Sequence, residues 1–397
     1  MRPKVLFLIH TLGAGGAEKV LINLVNNLDQ TKYDITLMTV IDTGVFKNYI
    51  AEGIKYKSIF KIPKRKDTGT EKKDCSGSLH ENYSRTKAVL KKCYQFFWRH
   101  ANCKLIYKCF IREKYDYEIA FLEGICAKII AASNNKESIK YSWIHVDIMN
   151  ERKSDLFFKG IEDERKVYNS FDKVICVSDY VKASVEEKLL IDREKLLTIY
   201  NVIDSAEIER KADERIELDS PYFSFVSVGR LSPQKGYDRL LKVINRLKKE
   251  GYNFKVFIIG EGPEKSSLTK YIEKNHLEKY VELLGFKKNP YPYMKKCDAF
   301  VCSSRAEGFS TVASEAIVVG KACVVTDCSG MKELFGENNE YGYIVENSED
   351  GIYRGMLAFL ENPQLVKYYS ERAKCGAKRF NISATIEAFE RKLLDVF

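Results

Sequence analysis

Short apolar runs alternate along the first half of the chain with segments whose apolar residues recur at helical spacing. Lys4–His10 is one such run and predicts a β-strand. Glu18–Leu28 carries its apolar residues on one helical face, and Tyr33–Ile41 predicts a second strand. A strand, a loop, a helix and a second strand in this order are typical of a doubly wound parallel sheet. Further strands are predicted at Tyr117–Phe121, Lys140–His145, Lys173–Val177 and Leu197–Tyr200.

The same alternation restarts after a charged segment, Asp204–Pro221, which we interpret as a helix-poor linker. The second half predicts strands at Phe223–Val228, Lys255–Ile259, Val281–Leu284, Asp298–Cys302, Ala322–Thr326 and Tyr343–Val345, and helices at Tyr237–Glu250, Glu264–Asn275 and Val312–Val319. We therefore predict an α/β protein of two Rossmann-like domains, residues 1–205 and 215–375. Their sheets direct their carboxyl ends into a shared cleft, where ligands bind. The amphipathic segment Ile382–Phe397 is expected to form a helix able to pack back on the first domain.

Composition agrees with two packed domains and sets limits on location and chemistry. The chain has 397 residues, of which 45% are hydrophobic, and no apolar run approaches the ~18 residues that span a bilayer. The apolar start is interpreted as a strand and not as a signal peptide, so a cytoplasmic location is expected. The 11 cysteines and 5 histidines are scattered, with no pair at metal-ligand spacing. We expect neither a metal site nor a bound cofactor.

The stretch from Glu307 to Glu315 carries the strongest chemical signal. Glu307 follows a predicted strand, and Glu315 lies about one turn into the next helix. Between them, the free N–H groups of Ser310, Thr311 and Val312 mark a helix N-terminus, where an anion is favoured. A carboxylate, an anion site and a second carboxylate in this order are suited to a sugar, a diphosphate and a ribose. The pattern indicates a nucleotide-sugar site.

A second loop carries two cations at the switch-point end of the second sheet. Arg230 and Lys235 lie in the segment Gly229–Gly236, directly after the strand Phe223–Val228. An arginine fork and a lysine point charge together can hold a diphosphate and stabilise it as it leaves. The alternative is that both are surface cations on an ordinary strand–helix loop.

Two features of the first half also point into the cleft. Gly13–Glu18 resembles a dinucleotide fingerprint without its third glycine, and Asp42 ends the second strand, so a nicotinamide oxidoreductase stays open from these residues alone. His145 closes a predicted strand and is expected to face the second domain's phosphate loop. The alternative for His145 is a structural histidine.

A basic segment interleaved with aromatic residues, Lys55–Lys114, accounts for much of the formal net charge of +10. An anionic membrane surface is one candidate partner, and the solvated face of an ordinary helix is the other. No nucleic-acid-binding motif is present, so nucleic acid is not expected as a partner. The membrane hypothesis uses Lys64–Lys66, Lys72–Lys73 and Lys91–Arg99, with Phe96, Phe97 and Trp98 entering the interface.

Taken together, these motifs resemble the retaining glycosyltransferases of family 4, which have the two-domain GT-B fold. The resemblance is carried by Gly15-Gly16-Ala17-Glu18, Trp143-Ile144-His145, Val177-Ser178-Asp179, Asn201–Asp204, Gly229–Gly236, Gly260–Pro263, Glu307 to Glu315 and Tyr341-Gly342-Tyr343. It implies that Glu315 bonds the ribose, that Arg230 and Lys235 bind the diphosphate, and that Glu307 with the backbone of Phe309 and Ser310 holds the sugar. The implied catalytic residues are His145, Glu307, Arg230 and Lys235. The implied donor-binding set is Gly15, Gly16, Gly229, Arg230, Lys235, Phe286, Glu307, Phe309, Ser310, Thr311 and Glu315.

The resemblance further implies transfer of a hexose from a nucleoside-diphosphate sugar, with a UDP-sugar favoured, to a glycan or lipid-linked acceptor in bacterial surface polysaccharide synthesis. Retention without an evident nucleophile suggests front-face attack, and no metal ion is expected to be needed. The location is expected to be cytoplasmic, with peripheral contact on the inner face of the membrane. A sugar-nucleotide epimerase of the same shape, the oxidoreductase and a non-catalytic glycan-binding module are the competing hypotheses.

Overall fold

Two parallel β-sheets organise a computed structural model of the chain, which describes residues 2–61, 94–150 and 156–394. The strands of the first sheet are β1 (Lys4–Ile9), β2 (Asp34–Asp42), β3 (Lys55–Lys61), β4 (Tyr117–Ala120), β5 (Ile139–Ile144), β6 (Lys173–Cys176) and β7 (Leu196–Thr198). They pair in the order β3-β2-β1-β4-β5-β6-β7, and every pair is parallel. The order reverses between β1 and β4, which places the switch point beside the loop that leaves β1.

The second sheet repeats this arrangement with six strands. They are β8 (Phe223–Val228), β9 (Phe254–Ile259), β10 (Val281–Gly285), β11 (Ala299–Cys302), β12 (Ala322–Thr326) and β13 (Tyr343–Val345). Their order is β10-β9-β8-β11-β12-β13, again all parallel. The predicted fold class, two doubly wound parallel sheets, is confirmed.

Helices cover both faces of each sheet. In the first domain they are α1 (Gly16–Asn27), α2 (residues 94–100 of the described chain), α3 (Cys103–Phe110), α4 (Ile125–Ala131), α5 (Ile161–Asn169) and α6 (Asp179–Leu189). The second domain follows with α7 (Ser205–Ala212), α8 (Tyr237–Lys249), α9 (Lys265–Lys274), α10 (Tyr291–Lys296), α11 (Thr311–Val318), α12 (Met331–Phe335), α13 (Glu349–Glu361) and α14 (Pro363–Ala377), and α15 (Ile382–Phe389) ends the described chain together with a π-helical turn, Glu390–Leu394. Within the described chain, no helix combines the length and the apolar character that crossing a membrane requires.

Helix α7 corrects one prediction, because the segment Asp204–Pro221 is not helix-poor throughout. The Asp204 side chain accepts a hydrogen bond from the Glu207 backbone N–H and so caps the helix. Ile208 and Ala212 are buried on the face that packs against α10 and α11. The high charge of the segment lies on the exposed face of an amphipathic helix, which is why composition alone suggested a linker.

The C-terminal segment returns to the first domain. The ring of Phe389 stacks on those of Phe7 and Trp143, with centroids 6.2 Å and 5.9 Å away. The hydroxyls of Tyr117 and Tyr141 donate hydrogen bonds to the carbonyls of the π-helical turn at 2.7 Å and 2.8 Å. The chain therefore crosses between the domains twice, and the crossings touch where the Ser205 hydroxyl donates to the Phe380 carbonyl at 3.1 Å.

Candidate active site in the cleft

The carboxylate of Glu315 is held from both domains. Glu315 lies on α11 and its side chain is only 6% exposed. Its Oε1 atom accepts hydrogen bonds from the Lys19 ammonium of α1 at 2.6 Å and from the Tyr291 hydroxyl of α10 at 3.0 Å. The Lys19 ammonium also lies 4.6 Å from the centroid of the Tyr291 ring. The second predicted carboxylate is thus the centre of an interdomain contact.

The N-terminus of α11 faces the glycine loop of the first domain. A Cβ added to Gly16 would lie 3.0 Å from the Thr311 Oγ1 atom, so the loop and the helix tip nearly touch. Ser310 occupies the N-cap position, but its side chain makes no capping hydrogen bond. Its hydroxyl is buried and has no partner within the described chain. Gly16, Ser310 and Thr311 therefore surround a helix end whose backbone donors are open to an anion.

Glu307 and Lys235 form a tight ion pair on the other side of that helix end. The Lys235 ammonium lies 2.5 Å from Glu307 Oε1, and the Ser304 hydroxyl donates to the same oxygen at 2.5 Å. Burial lowers the pKa of Lys235, but the charge of Glu307 and the hydrogen bond to it outweigh burial, so the pKa stands above its usual value. Lys235 is therefore a permanent positive charge at neutral pH.

The loop after β8 reaches Glu307 because of a close backbone approach at Gly236. This glycine has a φ of +67°, and an added Cβ would lie 2.2 Å from the Ser303 carbonyl oxygen. Gly229 begins the same loop, and an added Cβ would meet the Tyr237 hydroxyl at 3.1 Å and the Lys235 side chain at 3.3 Å. The two glycines let the loop fold tightly onto the strand ends.

Arg230 and Phe286 lie at the carboxyl ends of β8 and β10 but stay outside this packed centre. Arg230 is exposed, and no carboxylate of the described chain pairs with it. The ring of Phe286 is 50% exposed, directly after the last residue of β10. The structure thus joins Lys235 to Glu307, whereas Arg230 remains available to a ligand.

His145 contributes its backbone more closely than its ring. The ring packs on Phe121 and Trp143 at centroid distances of 4.9 Å and 5.9 Å. Its Nε2 atom is buried, with no hydrogen-bond partner in the described chain. Burial lowers the pKa of His145 to about 3, so the imidazole is neutral at physiological pH. A neutral imidazole with a free nitrogen can exchange a hydrogen bond with a ligand but carries no charge to it.

Sequence reasoning assigned no role to several residues that shape the cleft. Asn201 donates to the Phe309 carbonyl at 3.0 Å and to Thr311 Oγ1 at 3.4 Å, which fixes the start of α11 from the first domain. Asn201 lies in a segment that carried the family resemblance, and that was its only signal. Lys19 and Tyr291 had none, because nothing local marks a residue whose partner lies in the other domain.

A further carboxylate, Glu333 of α12, closes the outer part of the cleft. It accepts hydrogen bonds from the backbone N–H groups of Asp179 and Tyr180 at 2.9 Å and 2.7 Å, at the N-terminus of α6. The Tyr200 hydroxyl donates to it at 3.1 Å. A carboxylate at a helix N-terminus is favourable, so Glu333 stabilises the closed arrangement.

The basic aromatic segment is only partly described. Phe96 and Phe97 of α2 are 67% and 54% exposed, but Trp98 is 3% exposed. The Trp98 ring packs on Phe60 and Tyr94, with both centroids 6.0 Å away, so the expectation that it enters a membrane interface was wrong. Lys64–Lys66, Lys72–Lys73, Lys91 and Lys92 lie outside the described residues.

Comparison with known proteins turns this geometry into a family assignment. Residues 209–375 match the family model described as glycosyl transferases group 1. Through its second domain, the chain belongs to the group 1 glycosyltransferases. The sequence resemblance to a glycosyltransferase is thereby confirmed, and the oxidoreductase and epimerase hypotheses find no support in the comparisons.

Among curated group 1 relatives, the chain is 40% identical over 193 residues to the N-acetylgalactosamine-N,N'-diacetylbacillosaminyl-diphospho-undecaprenol 4-alpha-N-acetylgalactosaminyltransferase of Campylobacter jejuni. That match covers 48% of this chain and 51% of the relative. The chain thus spans about half the length of the first curated relatives that it matches.

Solved structures resemble the whole group 1 chain. Anabaena HepE in complex with UDP and glucose is 18% identical, with a TM-score of 0.73 and 100% of both chains covered. Staphylococcus aureus TarM, in complex with fondaparinux, alpha-GlcNAc-glycerol and UDP, is 15% identical, with a TM-score of 0.71, over 98% of this chain and 99% of that one. These likenesses establish the GT-B fold.

Proposed function

We propose that the protein transfers a hexose from a nucleoside-diphosphate sugar, with a UDP-sugar favoured, to a hydroxyl of a glycan or lipid-linked acceptor, with retention of anomeric configuration. The observation that carries the proposal is the arrangement around the N-terminus of α11. Glu307, paired with Lys235 at 2.5 Å, lies on one side of this helix end, and Glu315 lies one turn into the helix. The donor sugar, diphosphate and ribose match that order of groups.

Each part of the donor has a matching group in the cleft. The α11 N–H groups and the exposed Arg230 face the diphosphate, and Glu315 offers a carboxylate to the ribose hydroxyls. Glu307 accepts hydrogen bonds from the sugar hydroxyls. Its pairing with Lys235 and Ser304 uses Oε1, which leaves Oε2 for the sugar.

The reaction is a front-face displacement. The bond between the anomeric carbon and the diphosphate oxygen breaks, and the bonding pair leaves with the diphosphate. The acceptor oxygen attacks from the same side, and its proton passes to the departing diphosphate oxygen. The Lys235 charge, Arg230 and the helix end stabilise the negative charge that develops there. These groups supply the charge stabilisation that a metal ion provides elsewhere, so we propose that transfer needs none.

Two observations support a lipid-linked acceptor at the inner face of the membrane. The name of the Campylobacter jejuni relative places its acceptor sugars on diphospho-undecaprenol. In this chain, Phe96 and Phe97 are exposed on α2, and Arg99, Lys104 and Lys108 lie on α2 and α3 close by in sequence. Exposed rings beside cations suit a surface of anionic lipid headgroups. The solvated face of an ordinary helix is the competing interpretation.

A donor screen tests the proposed activity. The full chain is incubated with UDP-, GDP- and ADP-sugars and undecaprenyl-diphosphate-linked acceptors, in the presence of EDTA, and released nucleotide and glycosylated product are both measured. We expect one UDP-sugar to give equal amounts of the two. Release of nucleotide or isomerisation of the sugar without acceptor glycosylation would overturn the proposal, and full loss of activity in EDTA, restored by magnesium, would overturn its metal-free part.

A further inference from the structure

The Lys19–Glu315 ion pair joins residues 296 positions apart in the chain. Lys19 belongs to the first domain, which the donor-binding motifs leave largely aside, and its side chain is 20% exposed. Its ammonium and the Tyr291 hydroxyl both contact Glu315 Oε1, at 2.6 Å and 3.0 Å. A buried carboxylate with two donors on one oxygen has little rotational freedom.

The geometry divides the two oxygens of Glu315 between two tasks. Oε1 carries both contacts, and Oε2 is the oxygen that a pair of ribose hydroxyls can use. A buried carboxylate without a nearby cation pays a large desolvation cost, which the Lys19 charge offsets. Tyr291 alone supplies one neutral hydrogen bond and no charge, so it cannot replace Lys19.

We propose that Lys19 is a positioning residue for nucleotide recognition. It fixes the Glu315 carboxylate so that Oε2 accepts the ribose hydrogen bonds, and it makes ribose recognition depend on contact between the two domains. This role rests on the proposed function, because it takes the ribose contact of Glu315 from there. It assigns to the first domain a share of donor specificity that its glycine loop does not supply.

Calorimetric titration of the full chain with UDP and with 2′,3′-dideoxy-UDP tests this role, because only UDP carries the ribose hydroxyls. The variants are K19M, which keeps the length of the side chain without its charge, and K19R, which keeps the charge. The matched control is K55M, since Lys55 forms a surface ion pair with Asp34 at the same 2.6 Å, away from the cleft. The measured quantity is the ratio of the two affinities in each protein.

We expect wild-type protein to favour UDP, K19M to lose roughly tenfold of that preference, and K19R to recover most of it, because charge-assisted hydrogen bonds are the strong ones. K55M is expected to match wild type. An unchanged ratio in K19M, including equal weakening of both ligands through general damage, would overturn the role of Lys19 while leaving the proposed function intact. Wild-type protein that binds no nucleoside diphosphate would overturn both.

Discussion

The backbone carbonyl of His145 lies so close to Gly308 that a Cβ added to Gly308 would sit 2.0 Å from the carbonyl oxygen. On its other side, the Gly308 carbonyl accepts a hydrogen bond from the Ser178 hydroxyl at 3.1 Å. The loop that carries Glu307 is therefore enclosed between two segments of the first domain. Only a residue without a side chain fits this contact while the cleft is closed.

Replacing Gly308 by alanine should cost activity far more than stability. The added methyl group forces the His145 backbone and the Glu307 loop apart, and a displacement of about 1 Å at the reacting groups costs on the order of 100-fold in rate. Each domain keeps its own core, so the melting temperature should change little. Gly160→Ala is the matched control, because nothing lies within 4 Å of an added Cβ there. Equal turnover in both variants would contradict the closed contact.

The Lys235–Glu307 pair should behave as one unit in kinetics. Lys235→Met and Glu307→Gln are each expected to lower kcat by roughly 100- to 1,000-fold, since charge stabilisation acts mainly in the transition state. The double variant should lose little more than either single one, because each change already breaks the pair. Steady-state kinetics of the three variants decides this, and multiplicative losses would show that the two residues act independently.

His145 should make stability fall in acid without titrating near neutral pH. Burial lowers its pKa from 6.5 in the unfolded chain to about 3 in the folded one. Below pH 6.5 the unfolded state gains a proton that the folded state refuses, so this histidine lowers the free energy of unfolding by up to about 1.4 kcal/mol per pH unit. Above pH 6.5 it contributes no pH dependence.

Denaturant titration at pH 7.5, 6.5, 5.5 and 4.5 compares wild type with His145→Gln. The free-energy difference between the two proteins should stay constant above about pH 6.5, because His145 is neutral in both states there. Below that value it should shift steadily in favour of the glutamine variant. Parallel curves across the whole range would mean that His145 takes up its proton equally well in the folded protein.

The exposed rings of α2 should bind anionic vesicles in a way that survives salt. Charge attraction weakens as the Debye length falls from about 10 Å at 0.1 M to about 3 Å at 1 M salt, whereas buried rings keep their apolar contact. Co-sedimentation with the variant Phe96→Ser/Phe97→Ser should lose the salt-resistant fraction. Tyr368→Ser, which removes an aromatic that is 52% exposed in the second domain, is the control. Equal recovery with neutral and anionic lipids would favour the solvated-face interpretation.

The fold was predictable because parallel strands are buried on both faces and therefore appear as unbroken apolar runs. In β1, Val5 to Ile9 are all fully buried, and the run predicted the strand to within one residue. The amphipathic helix α7 was missed, since charges on its outer face dominate the composition of that segment. Trp98 was placed on the surface for a similar reason, although its ring packs on Phe60.

The site was predictable where its groups follow one another on a single loop. Glu307 and Glu315 lie on either side of one helix end, so spacing alone related them. Lys19 and Asn201 reach the same helix end from 296 and 110 residues away from their partners Glu315 and Thr311, and no local pattern records such a distance. Contacts between the domains depend on how two complete sheets face each other, which a single sequence does not state.

The paired crossings near Ser205 and Phe380 act as a double-pinned hinge. Because the two segments run side by side and share a hydrogen bond, the domains can swing apart about that line but resist twisting or sliding past each other. A single proteolytic cut in either segment would leave the halves tethered by the other. Whatever enters the cleft therefore does so through a jaw that opens at the far side, and each return stroke brings the same side chains back into register.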